Sequence, residues 1–306
     1  MIVIASPGQG SQTPGFLAPW LELPGARDFL GDASEYAGID LIAHGTVSDA
    51  DTIRDTAIAQ PLIVAASILA WRELSARVSI ADAGLAGHSV GEFAAAAAAG
   101  VLSEGDALRL VAVRGRAMAE AAARVETGMA AVVGGVEADV LAKIEEHGLT
   151  PANRNGGGQI VAAGPRPALE ALAADAPRGA RVIALQVAGA FHTDAMSSAI
   201  PVLREAAEGV TPSDPRHPLW TNADGSRVTS GTDFVARLVS QIASPVRWDL
   251  CMSGFQEAGI SGLIELLPAG ALSGIAKRAL KGVPAVAIKT PEDLDAAVAL
   301  ATGAAA

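Results

Sequence analysis

Asp82-Ala83-Gly84-Leu85-Ala86-Gly87-His88-Ser89-Val90-Gly91-Glu92, followed by the alanine run Ala94–Ala99, is the stretch on which the fold turns. A short apolar segment of strand length runs into Gly87-His88-Ser89-Val90-Gly91, and a strong helix former follows at once. In that setting Gly-x-Ser-x-Gly reads as a nucleophile elbow, a turn so tight that the residues two before and two after the serine must lack side chains. Ser89 is therefore the expected nucleophile. The backbone N–H of Val90, at the helix start, has no intrahelical acceptor and is free to face an oxyanion.

Composition bounds what such an elbow can serve. With 306 residues, half of them hydrophobic and 18% charged, the chain can bury a large core. The start Ile2-Val3-Ile4-Ala5 has no basic leader and ends in Pro7-Gly8, so it reads as a first strand and not a secretion signal. No apolar run approaches the roughly 20 residues that span a bilayer. The single cysteine, Cys251, excludes an internal disulfide and a cysteine-rich metal site, which suits a reducing cytoplasm; it reads as a buried small hydrophobe. A net charge of −11 argues against nucleic acid and anionic membranes as partners. Three of the four lysines, Lys277, Lys281 and Lys289, nevertheless cluster near the C-terminus beside Arg278, as a solvated helix face or a docking patch for an acidic partner.

Along the chain, Pro7-Gly8-Gln9-Gly10-Ser11-Gln12-Thr13-Pro14-Gly15 follows the first strand directly. Thr13 stands where a dinucleotide fingerprint needs glycine, and a phosphate loop would need Gly-Lys-Ser/Thr. What remains is a loop that brings backbone N–H groups near a ligand, with Gln9 the natural second oxyanion donor. Helical pattern then dominates to Arg77, most clearly from Pro61, placed as a first helical residue. Ser103 with Asp106 opens another helix in a capping-box pattern.

From Thr127 to Gly189 the texture changes. A strand at Met129–Val133, a helix at Glu137–His147 and two strands within Pro151–Gly164 come first. A helix at Arg166–Ala176 and a strand at Arg181–Val187 complete the β-α-β-β-α-β order of a ferredoxin-like unit. The rest alternates a helix at Asp194–Glu208, strand-like runs at Pro218–Thr221, Leu263–Leu267 and Ala285–Ile288, and helices at Asp233–Ile242, Trp248–Ala258 and Leu272–Leu280. This predicts an α/β protein: a large hydrolase-like domain with a mostly parallel sheet (1–126 and 190–306) carrying an inserted ferredoxin-like subdomain (127–189).

Arg114 is the most informative charge. Steps of three and four from it meet Ala107, Leu110, Val111, Ala117, Met118 and Ala121, all apolar, while Arg109, Arg116 and Glu120 take the opposite face. A guanidinium cannot shed its proton, and burying it unpaired costs several kcal/mol. It needs an anion: a buried Asp or Glu from elsewhere, or a carboxylate on the substrate.

Ser89 also needs a base. Of five histidines, His44, His147 and His217 sit in loop-like or helix-end positions, and His88 neighbours the serine in a turn that sends their side chains apart. His192, in Gly189-Ala190-Phe191-His192-Thr193-Asp194, lies at the seam between the two expected domains, where pockets form. Asp194 is too near in sequence to complete a triad, no other acid stands out, and a main-chain carbonyl could orient the ring instead.

Taken together, Pro7-Gly8-Gln9-Gly10-Ser11-Gln12, Gly87-His88-Ser89-Val90-Gly91-Glu92, Arg114 one helix beyond, Gly189-Ala190-Phe191-His192, and Gln241 with Pro245-Val246-Arg247-Trp248 resemble the malonyl-CoA:acyl carrier protein transacylases. The resemblance spans essentially the whole chain, in order. It implies a stand-alone cytoplasmic acyltransferase of fatty-acid or polyketide synthesis, with no permanently bound cofactor and no metal. Malonyl-CoA would be its substrate, and the partner's phosphopantetheine thiol the acceptor. It further implies Ser89 as the acylated residue, His192 as base and then acid, and Gln241 as the source of the carbonyl that orients the ring. Gln9 and Val90 N–H groups would form the oxyanion hole, and Arg114 would take malonate's free carboxylate. Phe191 is similar to the malonyl-selective pattern, and Asn153 and Asn155 would line the pantetheine path. Acyl carrier protein would dock near Lys277, Arg278 and Lys281. The alternatives are a serine thioesterase or hydrolase of short acyl thioesters, and a noncatalytic carrier-binding subunit.

Overall fold

The structure, a computed structural model, describes residues 1–303. In chain order the strands are β1 (Ile2–Ser6), β2 (Gly84–Gly87), β3 (Thr127–Gly134), β4 (Thr150–Gly156), β5 (Gln159–Pro165), β6 (Ala180–Ala184), β7 (Leu219–Trp220), β8 (Arg227–Val228), β9 (Gly262–Glu265) and β10 (Ala285–Ala287). They form a six-stranded sheet, β10-β9-β1-β2-β7-β8, and a four-stranded one, β4-β5-β3-β6. The first is parallel except for the β7–β8 pair. The second is antiparallel throughout. The protein is thus mixed α/β.

Each strand of the large sheet reads as its burial demands. Every residue of β1, β2 and β9 is buried, as expected for parallel strands covered by helices on both faces. The small sheet alternates instead. Met129 and Ala131 of β3, with Val161 and Ala163 of β5, join the main core. Their neighbours Ala130, Val132, Ile160 and Ala162 form a separate cluster with Val140, Ile144, Leu169 and Leu172, from the helices that connect the small strands. One face of the small sheet is therefore fastened to the large body, and the other packs its own helices.

The helix expected to begin at Pro61 begins at Thr56 and runs to Arg77. The Asp55 carboxylate accepts the Ala57 N–H at 2.8 Å, so a side-chain cap outweighs the proline signal and leaves Pro61 inside the helix. By length and composition this helix could cross a membrane, yet 72% of its apolar window is buried within the protein, as befits a core helix. It packs on the helix Glu104–Ala122, where Ser103 caps the Asp106 N–H as expected. A Cβ at Gly115 would lie 2.9 Å from the Thr56 carbonyl oxygen, so the two helices approach through that glycine.

Other boundaries shift for local reasons. β6 stops at Ala184, short of the expected Val187, because the chain leaves the sheet after Leu185 donates to the Met129 carbonyl. The stretch expected as one helix over 194–208 is a 3-10 segment, Asp194–Ala199, followed by an α-helix, Ile200–Glu208, with Pro201 in its first turn. Helix Gly231–Ser240 likewise gives way to a 3-10 turn, Gln241–Ala243. The strand β8 and the helix Asp293–Thr302 were not expected: two residues carry no periodicity, and the second sits in an alanine-rich end.

The elbow lies where β2 meets the helix Gly91–Ala98. A Cβ at Gly87 would fall 2.1 Å from the Gly91 carbonyl carbon, and one at Gly91 would fall 2.2 Å from the Ser6 carbonyl oxygen. Gly91→Ala should therefore lower stability by about 3 kcal/mol, through overpacking against backbone. Gly31→Ala, on an open part of helix Ala26–Ala37 where a Cβ meets nothing within 4 Å, should be neutral or stabilise by about 0.5–1 kcal/mol. Urea-denaturation midpoints compare the two, and equal shifts would refute the close-approach account.

Candidate active site

Ser89 stands at the apex of the elbow with φ 52°, and His192 has φ 62°; among the described residues these are the only non-glycine residues with positive φ. Asn222, just beyond β7, braces the apex. Its Oδ1 accepts the Ser89 N–H at 2.7 Å, and its Nδ2 donates to the Gly87 carbonyl at 2.7 Å.

His192 comes from the chain leaving the small sheet. The Ala190 N–H donates to Thr127 Oγ1 at 2.9 Å, and Thr193 Oγ1 donates back to the Ala190 carbonyl at 2.7 Å, fixing the loop on both sides of the ring. Its Nε2 lies 2.7 Å from Ser89 Oγ, and its Nδ1 lies 2.9 Å from the main-chain carbonyl oxygen of Gln241. The carbonyl can only accept, so Nδ1 carries the proton and Nε2 is the free base.

Arg114 is fully buried, on the helix whose approach to Thr56–Arg77 Gly115 permits. Its Nη1 donates to Gln60 Oε1 at 2.7 Å and its Nη2 to Gln241 Oε1 at 2.9 Å; the same Nη2 lies 3.3 Å from Ser89 Oγ. Among the described residues no carboxylate forms an ion pair with it, and its Nε has no partner. Of the two anions open to it from the sequence, a direct protein counterion is therefore missing.

These groups line a cavity of about 280 Å³ between the sheets, with Met129 and Ala131 of β3 and Asn153 and Asn155 of β4 on its far wall. Gln9, Val90 and Phe191 also line it. Neither the Gln9 nor the Val90 N–H meets a backbone acceptor among the described residues. Asn155 Oδ1 lies 2.8 Å from His88 Nε2, whereas the buried Oδ1 of Asn153 has no partner. A hydroxyl with a neutral imidazole on it, two free N–H groups and an uncompensated guanidinium is equipped for acyl transfer from a substrate that carries its own negative charge.

A family profile described as acyl transferase domain matches residues 5–296. The malonyl CoA-acyl carrier protein transacylase of Mycobacterium tuberculosis is 53% identical over 297 residues, covering 96% of this chain and 98% of the relative. The chain belongs to the malonyl-CoA:acyl carrier protein transacylases. The Escherichia coli transacylase is 33% identical over 301 residues, 96% of this chain and 97% of its own. The crystal structure of MCAT from Mycobacterium tuberculosis superposes with a TM-score of 0.94 at 52% identity, covering 97% of this chain and 99% of that one. A malonyl-transacylase in complex with a type II PKS acyl-carrier protein superposes at 0.90 and 30% identity, covering 97% and 98%.

Within this transacylase none of the remaining histidines hydrogen-bonds the serine hydroxyl among the described residues, although His88 lines the same cavity. His88 points away from it, edge-on to Trp248 with ring centroids 5.7 Å apart. His44 bonds Ser48, His147 faces Asp175, and His217 reaches the Ala83 carbonyl. Cys251 is buried, its thiol pushed well above the usual range by burial. Lys277, Arg278 and Lys281 are exposed, but Arg278 is engaged with the Gly157 and Gly274 carbonyls. No cluster of His, Cys, Asp and Glu among the described residues could hold a metal ion.

The structure adds three residues that sequence reasoning did not single out for the site: Gln60, Asn222 and Glu92. Gln60 is a lone amide in the apolar first half of the helix Thr56–Arg77, and Glu92 is the only charge between Asp82 and Glu104, which were signals available beforehand. Asn222, two residues past a two-residue strand, left none. Burial pushes the Glu92 carboxyl up to about 8 and the Arg114 guanidinium down to about 10.

Burial, and then the charge of Arg114, holds the His192 ring down to about 3. The imidazole is therefore neutral, and able to accept the serine proton, at every pH above that value. The rate at which phenylmethylsulfonyl fluoride modifies Ser89 should accordingly be level from about pH 5 to about pH 7, once corrected for reagent hydrolysis. A step near the ordinary value of 6.5 would show a solvated ring instead.

Proposed function

We propose that the protein transfers a malonyl group from coenzyme A to the phosphopantetheine thiol of acyl carrier protein, in a ping-pong reaction through a malonyl-serine ester. One observation carries this reading: a guanidinium with no ion-pair partner lies 3.3 Å from the nucleophile's oxygen. Only an acyl group ending in a carboxylate exploits that charge.

Ser89 Oγ attacks the thioester carbon as its proton passes to His192 Nε2. The N–H groups of Gln9 and Val90 hold the developing oxyanion. The carbon–sulfur bond breaks, and His192 returns the proton to the departing thiolate of coenzyme A. In the second half the carrier's thiol attacks the ester and gives its proton to His192. Ser89 Oγ leaves and recovers that proton. The Gln241 carbonyl keeps the ring in the tautomer both halves need. Arg114 holds the malonyl carboxylate throughout, and Phe191 limits room beside the acyl chain. Asn153, with its free buried acceptor, and Asn155 line the pantetheine path. No resident cofactor has a role in these steps.

The carrier would dock near Lys277, Arg278 and Lys281, next to the cavity wall contributed by Leu272 and Ile275. We read residues 127–189 as an inserted ferredoxin-like subdomain and 1–126 with 190–306 as the catalytic domain; residues 304–306 lie outside the described ones. The β-α-β-β-α-β order and the β4-β5-β3-β6 arrangement support that division. A cytoplasmic location fits a chain whose only cysteine is a free thiol.

Arg114→Ala should raise the barrier for malonyl-CoA by about 2–5 kcal/mol, roughly thirty-fold or more in kcat/KM. Acetyl-CoA, which has no carboxylate to lose, should change little. Equal losses for both thioesters would exclude the clamp. Intact-protein mass spectrometry with malonyl-CoA should give a malonyl adduct on Ser89 that holo acyl carrier protein discharges; turnover without that adduct would exclude the covalent scheme.

A further inference from the structure

Behind the guanidinium lies an acid that the transfer steps do not use. Glu92 sits in the first turn of the helix Gly91–Ala98 and is 1% exposed. Its Oε1 accepts the Asn222 N–H at 2.7 Å, and its Oε2 accepts from Gln241 Nε2. The same Gln241 Nε2 also reaches the Ser89 carbonyl at 3.2 Å. At the other end of that carboxamide, Oε1 accepts from Arg114 Nη2 at 2.9 Å. Carboxyl, carboxamide and guanidinium groups thus form one line in the buried interior.

A carboxamide has a donor end and an acceptor end, and its terminal torsion is soft and roughly two-fold. The guanidinium requires the oxygen, and Glu92 Oε2, which keeps lone pairs to accept with whether or not the acid is ionised, takes the nitrogen. With both partners present a single orientation satisfies all three groups. Were Glu92 in direct contact with Arg114, an ion pair would cancel the charge that a substrate carboxylate needs. An intervening neutral amide passes on orientation and leaves the charge.

We propose that Glu92 is a positioning residue for acyl selectivity: by fixing the Gln241 carboxamide it aims Arg114 at carboxylate-bearing acyl groups without neutralising it. The proposal rests on the reading of Arg114 as the malonyl clamp. Burial supports it, since the acid, pushed up to about 8, is largely uncharged at neutral pH. Of the titratable groups around it, Arg114 is charged, whereas the Cys251 thiol is held protonated. His192 shares Gln241 with it, through the main-chain carbonyl.

A purely structural role makes a different forecast. Through Asn222, Glu92 also braces the elbow, and a loosened elbow would slow every acyl donor alike. The full-length Glu92→Gln protein separates the two: its amide oxygen can still accept the Asn222 N–H, while its amide nitrogen, which only donates, cannot take the Gln241 Nε2–H as Glu92 Oε2 does. KM for malonyl-CoA should rise about ten-fold while kcat/KM for acetyl-CoA stays within about two-fold. Gln241→Ala, which removes the carboxamide, should raise the KM for malonyl-CoA at least as far, and adding Glu92→Gln to it should raise that KM no further. Equal loss for both donors, or additive effects in the double variant, would overturn the proposal.

The unaltered protein offers a second readout if Glu92→Gln does not fold. As pH rises through about 8, ionised Glu92 offsets the guanidinium, so the KM for malonyl-CoA should climb while that for acetyl-CoA stays level. A flat malonyl profile would overturn the proposal. Arg114→Ala measured in parallel keeps the two readings apart: unchanged malonyl selectivity there removes the clamp itself, and Glu92's role with it.

Discussion

Burying a guanidinium without a counterion costs several kcal/mol unless its N–H groups are otherwise satisfied, and the centre of this protein is arranged around that cost. Two amide oxygens, from Gln60 and Gln241, satisfy Arg114 with dipoles and leave its charge intact. Getting them there engages most of the fold. Gly115 lets two helices close until Gln60 is in reach, and the helix end at Ser240 turns Gln241 inward. The same Gln241 orients His192 through its backbone. Under the proposed roles, charge for the substrate and proton affinity of the base are not independent: after burial, the guanidinium that would hold one end of an acyl group is what most depresses the imidazole that would serve the other.

The second organising feature is the two-faced small sheet. Alternation along β3 and β5 sends one set of side chains into the main core and the other onto helices of its own. The cavity opens where these two bodies meet, walled by β3 and β4 on one side and by the elbow on the other.

Much of this was legible in the chain. Glycines flanking Ser89 announce a turn because a Cβ there would overlap backbone, and the structure puts backbone where those methyls would be. The apolar stripe around Arg114 announced its burial, since helical periodicity and charge conflict at one residue only. His192 stood out by its place at a seam. What the sequence hid is pairing at a distance. Nothing local marks Asn222 as the brace of the elbow, and the lone charge of Glu92 does not name Gln241 as its partner, because the pairings span 130 to 149 positions. Caps overrode the pattern at Pro61, and a proline divided the helix expected over 194–208, so boundaries were less legible than faces.

Ser89 and His192 share one further property, a left-handed backbone that side-chain-bearing residues adopt only at a cost of about 1–3 kcal/mol each. Glycine would adopt it freely. If Ser89 and His192 act as proposed, endurance and turnover pull in opposite directions at these two positions, where glycine would relieve the strain and remove the acting side chains. Under the roles proposed for them, the hydroxyl and the imidazole are kept there at the expense of stability.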